Sequence, residues 1–173
     1  MNPKSERDIA KFSGEVLEWF QFDRGIARYA RKILGDIGEG LWYEKYSPPT
    51  LATFDDSLSK ILQAIMEFVG VKEYTFYKNL ESFNTVEGLN RFLRMTHRKI
   101  LDVVESRCTG MAFTYITELK PEKYMQARSL LMAKFVNASA QQTLQLEQLL
   151  ECGLMKANVS QGFPPDTNME EKL

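Results

Sequence analysis

The chain has 173 residues, with 22 Lys and Arg against 23 Asp and Glu, and its net charge is -1. A chain of this length suits one domain that buries its own core without metals or disulfides. Its 44% apolar and 26% charged residues exclude disordered and collagen-like classes. Because the charge is balanced, nucleic acid binding would need a local basic patch, and we consider it an unfavoured function.

The sequence carries no pattern typical of export or membrane insertion. Its beginning lacks the continuous apolar stretch of a signal peptide. The most apolar windows, 61–69 and 130–136, are interrupted by charged residues and are shorter than the ~18 residues that span a bilayer. The two cysteines, Cys108 and Cys152, lack the spacing of a metal or redox motif. We therefore expect a cytoplasmic protein with reduced thiols and no membrane partner.

Apolar residues recur at helical spacing through the first part of the chain. They predict one helix over about 6–22 and a second over 23–34, which Asp23 can cap. Gly35 suits the left-handed residue at a helix end, and we expect the glycines that follow it to loosen the chain. The Ser-Pro-Pro sequence at 47–49 predicts a loop.

The middle of the chain predicts three further helices. An apolar stripe over 54–69 ends at Gly70, a typical helix terminator. Residues 71–83 combine strand-favouring aromatics with apolar positions at steps of three, and the spacing favours a helix. Residues 85–106 form a long amphipathic helix. Residues 111–119 are rich in β-branched and aromatic side chains, so both a strand and a helix stay open there.

The last predicted element is a helix over 121–152, which starts on a proline, a favoured first helical residue. Unbroken, it would be about 48 Å long at 1.5 Å per residue, longer than a compact domain of this size is wide. We therefore expect a break near 137–139, or a protruding end that meets a second subunit. Residues 154–173 have lost periodicity, which predicts a flexible tail after a helical domain of residues 1–153.

These patterns together predict an all-α fold: a single-domain bundle of about six helices with one long C-terminal helix. The chain contains one histidine, His97. Zinc-protease and di-iron motifs each need more than one histidine, and a catalytic triad would depend on His97 alone. We therefore predict no catalytic residue, no metal site and no required cofactor, and a role other than catalysis.

The most specific local feature is a group of basic residues on the helix over 85–106. Arg91, Arg94 and Arg98 follow at steps of three and four, so they share one side of that helix. There they could bind a phosphate or carboxylate, and His97 could join them. Binding of an anion or a nucleic acid is therefore one alternative function. A solvated face opposite the apolar stripe is the other interpretation of these residues.

Two segments resemble parts of the globins. Leu93-Arg-Met-Thr-His97 resembles the proximal helix, in which a Leu precedes the ligand His by one turn. Pro48-Pro-Thr-Leu-Ala-Thr-Phe54-Asp55 is similar to the globin segment that carries a haem-packing Phe. The resemblance covers these two segments and implies a haem pocket with His97 as an axial ligand. A haem or small-ligand sensor is therefore a further alternative.

Two groups of apolar residues are candidates for contact with a protein partner. The first precedes the loop at 47–49 and would either fill the core or anchor a partner, and the second ends the predicted C-terminal helix. The candidates are Trp42, Tyr43, Tyr46, Leu146, Leu149 and Leu150. We predict a non-catalytic protein-interaction or regulatory module that acts through an exposed groove or its C-terminal helix. A homodimer is one form that this interaction could take.

Overall fold

The computed structural model describes residues 8–137 and residue 150. Its α-helices are α1 (Val16–Trp42), α2 (Phe54–Ala64), α3 (Val71–Lys78), α4 (Val86–Arg107), α5 (Gly110–Thr117) and α6 (Ala127–Leu131). Two π-helical segments, Ile65–Val69 and Met132–Asn137, and two 3-10 helices, Glu81–Asn84 and Pro121–Gln126, complete the order. The described part of the chain contains no strand, which confirms the predicted all-α fold. None of these helices combines the length and apolar character that a bilayer span needs.

The first helix starts later than the sequence predicts, because residues 8–15 are not helical. The main-chain N–H and the hydroxyl of Ser13 donate to Glu18 Oε1 at 2.8 and 2.7 Å. The N–H of Phe12 donates to a carbonyl at the end of α4 at 3.0 Å. These tertiary bonds use the groups that a helix would need. The prediction of a helix over 6–22 is therefore wrong at its start, and also at its end, since α1 continues through Asp23 without a break.

Helix α1 bends sharply at Leu34 and Gly35, whose dihedral angles are not helical. Gly35 has a φ of 60°, so it is the left-handed residue that the sequence predicts. The bend divides α1 into two arms, residues 16–33 and residues 36–42. The prediction that the chain becomes irregular after Gly35 is wrong, because the second arm is helical and packs against the first. A Cβ on Gly38 would lie 2.1 Å from the carbonyl oxygen of Ala30, so this approach requires glycine.

The loop at 47–49 and the middle helices agree with the sequence. Helix α2 and the π-helical segment after it reach Gly70, and α3 confirms the helix within 71–83. Thr85 caps helix α4, since its Oγ1 accepts the N–H of Gly88 at 2.9 Å. The sequence leaves both a strand and a helix open for residues 111–119. Residues 111–117 belong to the helix α5.

From Pro121 to Asn137 the chain is helical but changes type twice. Pro121 begins a 3-10 helix, α6 follows, and a π-helical segment ends at Asn137. The described part thus does not confirm one regular helix over 121–152. Most of the expected break at 137–139, and all of the expected tail at 154–173, lie outside the described residues.

The core lies between the first arm of α1 and α4. At one end, Phe12 is surrounded by aromatic rings: those of Trp19, Phe22 and Phe135 lie at centroid distances of 5.2, 5.3 and 5.8 Å. Aromatic pairs of this kind contribute about 0.5–1.5 kcal/mol beyond the burial of their surface. They bind the N-terminal segment and the last π-helical segment to α1.

Candidate functional site

A cleft opens between the bend of α1 and the helices α3 and α4. Its cavity has a volume of about 100 Å³. The lining side chains come from four elements and are mostly apolar: Ile33, Leu34, Ile65, Val69, Glu73, Tyr77, Phe92, Thr96 and Lys99. An apolar cavity of about 150 Å³ can hold benzene. A cleft of the present size therefore fits a smaller group, such as one branched aliphatic side chain.

Two irregular segments form one side of the cleft. The bend of α1 places Leu34 in the wall, and the π-helical segment places Ile65 and Val69 there. The ring of Phe68 packs against Gly35, where a Cβ would lie 2.3 Å from Phe68 Cε2. Only glycine therefore permits both the φ at the bend and this contact. Irregular helical turns such as the π-helical segment occur frequently at functional sites.

Helices α3 and α4 form the other side. The ring of Tyr77 lies 5.0 Å from that of Phe92, in an edge-to-face arrangement. Thr96, one turn after Phe92, donates its hydroxyl to the Phe92 carbonyl at 3.1 Å. That bond uses the only proton of the hydroxyl, so the oxygen can only accept a further bond from a ligand. This side of the cleft is thus aromatic and carries one hydrogen-bond acceptor, the hydroxyl oxygen of Thr96.

Two opposite charges lie on different walls of the cleft. Glu73 belongs to α3 and is half-buried, and Lys99 belongs to α4 and is exposed. Within residues 8–137, neither side chain forms an ion pair. The ammonium group of Lys99 can therefore donate to a ligand, and the carboxylate of Glu73 can accept from one.

Large apolar side chains stay exposed on the π-helical segment and α3, two of the elements that line the cleft. Val71 is 66% exposed and Phe76 is 59% exposed. We call Phe68, Val69, Val71 and Phe76 the apolar rim. Phe76 contacts Tyr77, with ring centroids 5.1 Å apart, and so joins the rim to the cleft. Single exposed apolar residues are ordinary, whereas a group of them marks an interaction surface.

The predicted basic residues are only partly free to bind an anion. Arg91 and Arg94 are exposed on the side of α4 that faces away from the core. Arg98 is already engaged, since its Nε lies 3.1 Å from Asp102 Oδ1 and its guanidinium carbon lies 4.7 Å from the ring centre of Tyr124. The Nη1 of Arg98 is buried and has no hydrogen-bond partner among the described residues. An anion would therefore meet two free arginines, Arg91 and Arg94, and a third that is partly paired.

His97 lies in the core, with an exposure of 2%, and not on the exposed face that carries Arg91 and Arg94. Burial, and to a smaller extent the charge of Arg98, lowers the pKa of His97 to about 4, so its imidazole is neutral at pH 7. Neither His97 nor Phe54, the two key residues of the globin resemblance, lines the cleft. The cleft is also small beside ligand pockets of roughly 300–1,000 Å³. It therefore gives the haem alternative no support.

The three aromatic residues before the loop at 47–49 are buried to different degrees. Trp42 is fully buried, and its Nε1 donates to Asp23 Oδ1 at 2.8 Å. Tyr43 and Tyr46 are half-buried, and burial is the largest cause that raises the pKa of each hydroxyl. The guanidinium carbon of Arg128 lies 4.8 Å from the ring centre of Tyr43. These contacts lie within the chain, so they leave little of the three rings for a partner.

The predicted leucine contacts fall at the edge of the described structure. Leu146 and Leu149 lie outside the described residues. Leu150 is described, and its side chain is 67% exposed. A partner contact through these leucines stays a prediction.

A polar cluster that the sequence did not indicate joins α1 to α6. Asp23 accepts three hydrogen bonds: one from Trp42 at 2.8 Å, and two from Arg128, from Nε and Nη2, both at 2.9 Å. At the residue after Arg128, the main-chain N–H and the hydroxyl of Ser129 donate to the carboxylate of Glu44. We call Asp23, Trp42, Glu44, Arg128 and Ser129 the α1–α6 latch. Asp23 and Arg128 are 105 positions apart, so no local spacing could have paired them.

Comparisons with protein-family models, with curated proteins and with solved structures find no match. In the part of the chain that the structure describes, no group of three or more His, Cys, Asp or Glu side chains could hold a metal ion. The features that bear on function are therefore the cleft, its apolar rim and the latch.

Proposed function

We propose that the protein is a non-catalytic interaction module that binds an apolar side chain of a partner protein in the cleft. The observation that carries this proposal is the apolar rim, a group of large exposed side chains on two of the elements that line a cavity with free space. Protein interfaces commonly have this anatomy, with a central side chain in a pocket and apolar contacts that exclude water around it.

The size and charge of the cleft restrict the partner. A volume of about 100 Å³ accommodates one aliphatic side chain, such as that of Leu, Ile or Met, rather than an aromatic ring. Lys99 would donate to a carbonyl or carboxylate of the bound segment, and Glu73 would accept from an N–H or an ammonium group. The partner segment would therefore present an aliphatic side chain with a hydrogen-bond acceptor and a hydrogen-bond donor close to it.

A peptide selection tests this function. Random peptides displayed on phage are selected on the purified protein, and the peptide of residues 141–153 of this chain is added as a separate arm to test self-association. We expect the enriched peptides to share a large aliphatic residue. Binding should weaken at least about tenfold in Val69→Phe, which fills the cleft, because an anchor residue of this kind contributes roughly 2 kcal/mol.

The matched control is Leu17→Phe, which adds a similar ring to an exposed apolar residue. Leu17 is 93% exposed and lies about 26 Å along α1 from the bend. Binding should be unchanged in this variant. A selection without enrichment, or equal binding by Val69→Phe and the wild type, would contradict the proposal. Binding by the 141–153 peptide would identify a second copy as one partner, as the sequence allows.

The cytoplasmic location expected from the sequence is part of this proposal. Cys108 is a free and buried thiol, which suits a reducing compartment. Fractionation of the native source tests it, and recovery of the protein with secreted material would contradict it.

A further inference from the structure

The latch closes the bend of α1. In a straight helix, positions 23 and 42 would lie about 28 Å apart at 1.5 Å per residue. Trp42 Nε1 and Asp23 Oδ1 are instead 2.8 Å apart. This hydrogen bond therefore exists only while the second arm is folded back on the first.

Helix α6 binds at the same point and joins both arms. Arg128 forms a two-point bond with Asp23 of the first arm, and its guanidinium stacks on Tyr43 at the end of the second arm. Both partners of the ion pair are largely buried, and the hydrogen bond to Asp23 is the largest cause that raises the pKa of Arg128. Glu44, which binds Ser129, has a left-handed φ of 59° that an ordinary residue rarely adopts. The docking of α6 thus holds the chain after the second arm in one conformation.

The bend that the latch closes is also a wall of the cleft. Leu34, at the bend, lines the cavity, and its neighbour Gly35 contacts Phe68 of the apolar rim. If the second arm moved away from the first, these three residues would shift together. The latch and the cleft are therefore joined through one bent element.

We propose that the docking of α6 on α1 through the latch keeps the cleft in the form that binds its partner. Release of α6 lets the bend open, displaces Leu34 and Phe68, and weakens binding. The inference rests on the proposed function of the cleft, whose regulation it describes. Since coupling between two sites is reciprocal, a partner bound in the cleft would also hold α6 more tightly.

Two variants release the latch to different extents. Arg128→Met removes the two-point bond to Asp23 and keeps an apolar side chain of similar length. Ser129→Ala removes one hydrogen bond to Glu44 and serves as a milder variant that should fold. The control is Lys60→Met, which breaks the exposed pair between Lys60 and Asp56, 3.0 Å apart on α2.

The first readout is the opening of the bend. Spin labels are attached at Gln21→Cys and Lys45→Cys, both at exposed positions, in a Cys152→Ser background. The buried Cys108 should stay unlabelled. Pulsed electron paramagnetic resonance should give a longer and broader distribution of the distance between the two labels in Arg128→Met than in the wild type. Lys60→Met should leave the distribution unchanged, and an unchanged distribution in Arg128→Met would overturn the inference.

The second readout is the cleft itself. The methyl resonances of Ile33, Ile65 and Val69 should shift in Arg128→Met, less in Ser129→Ala, and not in Lys60→Met. The affinity for a peptide selected on the wild type should fall about tenfold in Arg128→Met. An open bend with unchanged methyl resonances and unchanged affinity would overturn the inference and leave the proposed function intact. If the wild type binds no peptide, the proposed function fails, and the methyl resonances alone decide the inference.

Discussion

Trp42 donates its indole N–H to Asp23, which lies nineteen positions earlier in the same helix. The bond is 2.8 Å long, and the same carboxylate binds Arg128 through both of its oxygens. One aspartate therefore joins the two arms of α1 to each other and to α6. The side chain that the sequence suggests as a helix cap has a tertiary role instead.

Replacing Trp42 with Phe should destabilise the protein through the loss of this donor. Trp42→Phe keeps an aromatic ring in the core but leaves Asp23 with one partner fewer, which costs about 1–3 kcal/mol for a charged acceptor. Urea denaturation measures the free energy of unfolding. The control is Trp19→Phe, since Trp19 is also buried but its ring makes aromatic contacts in place of this bond. Equal losses in the two variants would contradict the importance of the hydrogen bond.

Two glycines in the second arm of α1 should respond oppositely to alanine. Gly38→Ala should cost about 2–4 kcal/mol, because its Cβ would lie 2.1 Å from the carbonyl oxygen of Ala30. Gly40→Ala should instead stabilise by about 0.5–1 kcal/mol, because its Cβ would meet Tyr46 at an ordinary 3.4 Å and alanine favours a helix. Thermal unfolding of both variants checks this pair. Similar melting temperatures would show that the two arms do not pack as described.

The neutral His97 should make stability depend on pH. Its folded pKa of about 4 lies below the ordinary 6.5, so both states are neutral above pH 6.5 and stability is then full. Between pH 6.5 and 4 only the unfolded state binds the proton, and the free energy of unfolding falls by up to about 1.4 kcal/mol per pH unit. Between pH 7 and 5, the wild type should lose about 2 kcal/mol more than His97→Gln. Equal losses in urea denaturation at the two pH values would place the imidazole in contact with water.

Cys108 should be unreactive in the native protein. Burial, with a smaller effect from Glu105, raises the pKa of its thiol to about 12, so almost no thiolate exists at pH 8. In a Cys152→Ser background, a disulfide reagent should modify native Cys108 at least about 100-fold more slowly than the urea-unfolded chain. Equal rates would indicate that the junction between α4 and α5 opens readily.

The sequence predicts helices well where one face is buried and both ends carry a local signal. Helix α4 was expected over 85–106 and runs from Val86 to Arg107, since Thr85 caps its start. The stripe over 54–69 likewise ends at Gly70. The start of α1 was not predictable, because Phe12 and Ser13 bind groups whose proximity depends on the tertiary fold.

The candidate site was less predictable than the helices. The spacing in 71–83 predicts the helix α3, but it does not tell which of its apolar residues remain exposed in the fold. The burial of His97 did have a signal, since Leu93 and Leu101 lie one turn before and after it on the apolar stripe. The sequence indicates a helix end at Gly35, whereas the return of a helical second arm depends on Asp23 and Arg128.

Binding of a single leucine side chain in the cleft is the central claim, and methyl NMR tests it most directly. N-acetyl-leucinamide is titrated into the protein, with N-acetyl-alaninamide as the matched control. We expect saturable shifts at the methyl groups of Ile33, Leu34, Ile65 and Val69 with the leucine compound, and none with the alanine compound or in Val69→Phe. Shifts that never saturate, that appear equally with both compounds, or that persist in Val69→Phe would contradict this account.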